Sequence, residues 1–197
     1  MMGKNYIEEV VSENAEGKGV YEEIAHYASE PDEIVQRLEF ERVGFNAVTG
    51  EAGAVTITAI GLPDYDMVGN ILIPDKIECE PDWCEDTVTA PVTAIAAYAS
   101  STAKQNDSII RSVLLPETLK SVGRCAFAMW CDMKKAEIPA SVTGIGEYAF
   151  GYERDWSKQG EEHYKKIDGF VISCYPGTAG EKYAKDNGFE YKLLSDT

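Results

Sequence analysis

Leu115-Pro116-Glu117-Thr118-Leu119-Lys120-Ser121-Val122-Gly123-Arg124-Cys125-Ala126-Phe127 aligns without a gap to Ile138-Pro139-Ala140-Ser141-Val142-Thr143-Gly144-Ile145-Gly146-Glu147-Tyr148-Ala149-Phe150. Both follow the pattern aliphatic-Pro-x-x-aliphatic-x-x-aliphatic-Gly-x-x-Ala-Phe, and they start 23 residues apart. A period of that length is the mark of a solenoid, in which each coil buries its apolar side only by stacking on the next. The residue types fit that role. Proline removes a backbone donor and ends a strand. The glycine in register leaves room where a Cβ would obstruct a tight turn. Ala-Phe supplies one small and one large filler for close stacking.

Working outward, a degenerate third copy runs Val92-Thr93-Ala94-Ile95-Ala96-Ala97-Tyr98-Ala99-Ser100, with Ala96 for the glycine and Ser100 for the phenylalanine. A strand precedes each copy or stands alone. It recurs at 68–73, 110–115, 133–138 and 167–172, with apolar residues at its first, fourth and sixth positions. The fourth and sixth positions point to one side, into the core. The positions between them form an exposed ladder: Asn70 and Leu72, Ser112 and Leu114, Lys135 and Glu137, Gly169 and Val171. Leu72, Leu114 and Val171 are apolar where solvent is expected, so an interaction surface or a covering segment belongs there.

These residues resemble the BspA-type leucine-rich repeat of bacterial surface proteins, over roughly residues 45–194. Trp130 and Cys131 around the usual cysteine position, and Met133 for the usual leucine, are departures. The resemblance implies a leucine-rich-repeat solenoid of short strands and turns, at the cell surface or secreted, closed by a C-terminal cap. Residues 177–197 read as that cap. Thr178-Ala179-Gly180-Glu181 has the form of a capping box. A helix then runs to about Asn187, Gly188 ends it, and Phe189 to Leu193 form a closing strand. The solenoid proper covers 41–176. Residues 1–40 read as an acidic helical cap. Ile7, Val10 and Val11 mark one helix, which Gly17-Lys18-Gly19 breaks. Tyr21, Ile24, Ala25 and Ala28 mark a second, and a third piece opens at Pro31. Phe40–Val48 and Ala54–Ile60 read as strands.

The chain has 197 residues and a formal charge of −16, and residues 1–45 hold eleven Asp/Glu against four Lys/Arg, so −7 of it sits there. Such a surface repels nucleic acid and anionic membranes. No segment reaches the roughly 18 apolar residues of a membrane helix. The first residues lack the apolar stretch of a signal peptide, which fits either an intracellular protein or a chain whose signal is gone. Leu115-Pro116-Glu117-Thr118-Leu119 imitates a sortase signal but has Leu119 for the required glycine and lies mid-chain.

Chemistry finds little purchase. Five cysteines, Cys79, Cys84, Cys125, Cys131 and Cys174, are too few and odd in number for a disulfide framework. They read as buried thiols, with a Cys79–Cys84 bridge open in an oxidising compartment. No zinc-ligand spacing and no calcium loop is present. Neither His26 nor His163 is spaced to activate a cysteine. The expectation is a non-enzymatic protein without cofactor or metal. Two insertions lengthen the period, 42 residues from Ile73 to Leu115 and 34 from Ile138 to Ile172, and they carry Trp83 and Trp156 beside charges. Tryptophan anchors interfaces. The reading is a monomeric interaction module that offers the ladder and the two Trp loops to a protein or glycan partner. The alternative is an intracellular acidic inhibitor or decoy that occupies a basic, nucleic-acid-binding surface of another protein.

Overall fold

The structure is a computed structural model that describes residues 4–14, 16–27, 33–46, 49, 51–61, 68–79, 86–102, 109–159 and 162–195. Four long strands come first: β1 (Lys4–Glu13), β2 (Lys18–Tyr27), β3 (Glu33–Val43) and β4 (Ala54–Gly61). Shorter ones follow: β5 (Val68–Leu72), β6 (Lys76–Cys79), β7 (Val88–Ile95), β8 (Ile109–Leu114), β9 (Ser121–Val122), β10 (Lys135–Ile138) and β11 (Gly144–Ile145). β12 (Tyr152–Arg154), β13 (Tyr164–Lys166) and β14 (Val171–Cys174) precede the helix α1 (Ala179–Asn187) and a last strand, β15 (Glu190–Leu193).

β1 to β4 form an antiparallel meander, and its last strand continues into a parallel series, β4-β7-β9-β11. A second series lies on the other side of the coils. There β5 pairs in parallel with β8, β10 with β14, and β14 with β15. Apolar residues from both series fill one core between them.

The repeat explains the stacking. Ile95, Val122 and Ile145 occupy the same position of successive copies and pair in register, with Ile57 of β4 before them. The backbone amides one residue on bond back one coil: Ala96 N to Ile57 O (2.8 Å), Gly123 N to Ile95 O (2.8 Å) and Gly146 N to Val122 O (2.8 Å). Two residues later the bonds run forward, from Tyr98 N to Arg124 O and from Cys125 N to Glu147 O, both 2.9 Å. Tyr98 and Cys125, which make them, and Tyr148 at the equivalent position adopt left-handed backbone at φ 61°, 54° and 57°. That conformation costs an ordinary residue roughly 1–2 kcal/mol, and three equivalent residues carry it.

The repeat glycines serve close approach. A Cβ on Gly123 would stand 2.3 Å from Ala97 N, and one on Gly146 would stand 2.4 Å from Arg124 N. Ala96 tolerates its methyl because the layer behind it is strand β4 rather than another turn. In the core, Phe127 and Phe150 stack at 5.0 Å, and Phe150 meets Tyr183 of α1 edge-on at 6.2 Å. The Tyr183 hydroxyl donates to Phe150 O (2.9 Å) and accepts from Phe150 N (3.1 Å), which fastens the cap to the last coil.

The cap helix, the left-handed Gly188 and the closing strand stand where the sequence places them. The capping box does not form as drawn. Thr178 Oγ1 donates to Tyr175 O (2.7 Å), and Glu181 accepts from Gly177 N (2.7 Å), one residue earlier than expected.

The N-terminal helices are the main correction, because the described residues of this stretch form the strands β1, β2 and β3 and the turn between β1 and β2, while Ala28 and Pro31 lie outside the described residues. The segment Gly17-Lys18-Gly19 lies at a hairpin turn rather than a helix break. Asn14 Oδ1 accepts from Glu16 N (2.9 Å) and Lys18 N (3.1 Å), and Gly17 has φ +75°. In β3 the burial alternates with the strand period: Leu38, Phe40 and Arg42 inward, Glu39 and Glu41 outward. Arg42 is the inward charge, and it pairs with Glu13 of β1 through three hydrogen bonds of 2.6, 2.8 and 3.0 Å, both side chains fully buried. Its remaining amino group donates to Ala52 O (3.1 Å). Of the expected strand Phe40–Val48, β3 ends at Val43, and Ala47 and Val48 lie outside the described residues.

Two outcomes test this packing. Gly146→Ala lowers stability by about 2 kcal/mol through overpacking, whereas Gly144→Ala, whose new methyl meets nothing nearer than Ser121 Cβ at 3.8 Å, leaves the thermal midpoint nearly unchanged. Arg42→Met strands the Glu13 carboxylate and costs about 3–5 kcal/mol in denaturant unfolding, while Glu13→Leu/Arg42→Met recovers most of the loss.

Candidate interaction surface

The outward positions of the second series make one face. Asn70 lies beside Ser112, and Leu72 beside Leu114. Ser112, expected to be exposed, is buried, and its hydroxyl donates to the Asn70 side-chain oxygen at 2.6 Å, which holds that row in place. Leu72 is 47% exposed and Leu114 53%. β10 packs next to β8 and carries Lys135 and Glu137, both exposed.

The register further on differs from the sequence reading. Lys135 faces Val171 and Glu137 faces Ser173, so Gly169 stands outside the ladder. Gly169 adopts φ +71° and Phe170 N bonds Ile167 O (3.3 Å), a turn that delays the strand by two residues. β15 adds Glu190 beside Val171 and Lys192 beside Ser173. A depression of about 580 Å³ opens on this face, lined by Arg111, Lys134, Lys135 and Lys192 with Asp132 and Val171. Of these cations the sequence reading singled out Lys135 alone. The other three come from β8, from the residue just before β10 and from β15, and only the pairing of those strands gathers them.

Trp83 lies outside the described residues, as does Cys84. Trp156 sits at the tip of the β12–β13 hairpin and is 61% exposed. Arg154 stacks on its ring at 4.3 Å. Asp155 Oδ1 accepts from both Ser157 N (3.2 Å) and Ser157 Oγ (2.6 Å), which sets the turn beside it.

The hairpin stem, by contrast, is fixed to the coils. Tyr152 is buried, and its hydroxyl meets Asn187 Oδ1 at 2.9 Å. Tyr164 stacks on Tyr148 at 4.9 Å. Arg124 lies over the rings of Tyr98, Tyr148 and Tyr164 at 5.7, 5.7 and 5.9 Å. Glu162 accepts from Tyr164 (2.9 Å) and Tyr98 (3.2 Å), and Arg124 donates to the Tyr98 hydroxyl. The left-handed turns thus hold up an aromatic column against which the insertion folds. Nothing in the sequence pattern of the repeat signals this cluster, since its members come from three coils and an insertion.

The cluster has no activated nucleophile. Burial pushes the Cys125 thiol up despite the phenol of Tyr164 and the guanidinium of Arg124 beside it. Burial also raises Cys131 and Cys174. Reactive cysteines need the opposite shift. Among the described residues no group of three or more His, Cys, Asp or Glu could hold a metal.

The hydrogen bond from Tyr164 leads the effects that hold the Glu162 carboxyl below its ordinary range, with Tyr98, Arg154 and Arg124 adding to it. A carboxylate lowered on folding stabilises above its unfolded pKa, about 4.3, and the effect is lost as pH falls through the folded value. The thermal midpoint of Glu162→Gln therefore falls below that of the native chain at neutral pH, and the gap closes as the solution is acidified through the carboxylate range.

No protein-family model and no curated protein matches the chain. A solved leucine-rich repeat protein from Bacteroides capillosus ATCC 29799 is similar to it, with 20% sequence identity over 73% of this chain and 80% of that one, at a TM-score of 0.47.

Proposed function

We propose that this chain is a non-catalytic binding module of the leucine-rich-repeat kind, which engages a macromolecular partner through the outer face of β5, β8, β10, β14 and β15. The observation that carries the reading is the Leu72–Leu114 pair, two adjacent aliphatic side chains about half exposed on a regular strand surface. Packing within the coil gains nothing from leucine there, since the alternate residues Ile71 and Val113 already fill the core. Covering the pair on binding removes apolar area from water, worth about 25 cal/mol per Å².

Trp156 is a second anchor in this reading. Its side chain is open while its stem is rigid, so little order is lost when a partner covers it. The described geometry includes no reacting group, and the thiols are raised rather than activated, which favours binding over catalysis. A depression on the face is lined by cations, so a decoy for a basic surface would use another side of the molecule. The BspA-type resemblance adds a setting at or outside a bacterial cell surface, with the module acting as a monomer on a protein or glycan partner.

A photo-crosslinking residue placed at Leu114 or at Trp156 is expected to capture the same partner from a native extract, and one placed at Lys182 on the cap helix is not. Equal capture at all three positions, or at Lys182 alone, removes the proposed face from consideration.

A further inference from the structure

The charges of this protein are not spread evenly over their partners. In a chain of net charge −16, a cation has carboxylates in every direction. Accordingly, ten of the described Lys and Arg side chains form ion pairs. Lys166 instead lies over the ring of Phe189 at 5.2 Å. Among the described side chains that leaves Arg111, Lys120, Lys134, Lys135 and Lys192 without a carboxylate or ring. Four of those five line one depression on the outer face.

Their separation in sequence shows what the fold does. Arg111 belongs to β8, Lys134 immediately precedes β10, Lys135 is its first residue and Lys192 lies in the closing strand, yet all four border one hollow. Among the described lining residues Asp132 is the one acid, and Glu137 and Glu190 stand on the neighbouring ladder positions. None of the three is ion-paired with a described cation. Val171 and the stems of the long side chains give the lining aliphatic surface, with the half-buried hydroxyl of Ser173 beside them. The apolar pair Leu72 and Leu114 continues the same face, Leu114 on β8 itself and Leu72 on the neighbouring β5.

We infer that this depression is a docking site for an acidic peptide segment of the partner protein, one that carries aliphatic side chains among its carboxylates. The inference rests on the proposed binding role and names the chemistry of what is bound. Four cations without partners offer charge-assisted contacts to carboxylates, and in an otherwise acidic protein they focus an anion onto one place. The aliphatic surface and the adjoining leucines need apolar cover, which a peptide's side chains supply and a polyuronate chain does not. The electrostatic part acts on encounter rate and selectivity, and the apolar part on residence.

The probe is a short fluorescent peptide of alternating glutamate and leucine, followed by anisotropy at low ionic strength. Saturable binding that weakens as salt is added is expected. It falls by at least about tenfold in Lys135→Glu/Lys192→Glu. It holds in Lys158→Glu/Lys182→Glu, which changes net charge equally but alters paired lysines elsewhere. A polyglutamate of the same length binds more weakly than the alternating peptide. All four mutated positions are exposed, and thermal melts verify that both variants remain folded. Three results overturn the inference: no binding of the probe, equal loss in the two variants, or tighter binding of polygalacturonate than of the peptide. If crosslinks at Leu114 and Trp156 still capture a partner when the peptide fails, the acidic-peptide assignment falls and the binding face stands.

Discussion

Everything in the repeat region depends on how closely one turn can lie on the next. The amide after each paired aliphatic residue bonds back by 2.8 Å, and the amides of left-handed Tyr98 and Cys125 bond forward by 2.9 Å. Both bonds hold only if the intervening residue lets the backbones meet, hence glycine at 123 and 146. With the inner turns clamped in this way, the Phe127–Phe150 stack forms beneath them and Tyr183 closes the column. The outer strands inherit their spacing from the same clamp. The face on which Leu114, Lys135 and Val171 appear is therefore a consequence of inner-turn geometry, although none of those residues takes part in it.

The same turns also position the insertion. Left-handed backbone at Tyr98 and Tyr148 projects two rings from equivalent positions, and Arg124 lies over both. The β12–β13 hairpin docks on that column through Tyr164 and Glu162 and leaves Trp156 free at its tip. Backbone strain at the turns is thus offset by contacts that fix a surface feature. At the other end of the chain, the Glu13–Arg42 pair ties the first strand of the meander to the third. Removing either partner leaves a charge in the core.

How much of this was legible in the sequence varies with how local the cause is. The repeat was legible because proline, glycine and Ala-Phe recur at fixed spacing, and each acts within its own coil or its immediate neighbour. The cap helix was legible for the same reason. The meander was not. Ile7, Val10 and Val11 satisfy a helical spacing, and the glutamates around them favour helix locally, but pairing along three long strands overrides that preference. The strand alternation of β3 was hidden because its third inward residue is Arg42, which no apolar pattern counts. Leu72 and Leu114 could be read from alternation alone. Arg111, Lys134 and Lys192 could not be read as a group, because strand pairing is what assembles them. Gly169 misled the register of β14, since an apolar pattern does not reveal a turn that delays the strand.

The coil from Pro116 to Ile138 presents the same bonding groups to the coil behind it as to the coil ahead: Cys125 donates forward as Tyr98 does, and Gly146 bonds back as Gly123 does. A unit with matching front and back edges is indifferent to how many copies stand beside it. Such a molecule can gain or lose a whole coil by duplication or deletion of one period without disturbing the register on either side. Each added coil widens the outer face by one strand, so the reach of that face is set by copy number, while its chemistry is set by the few side chains each strand turns outward.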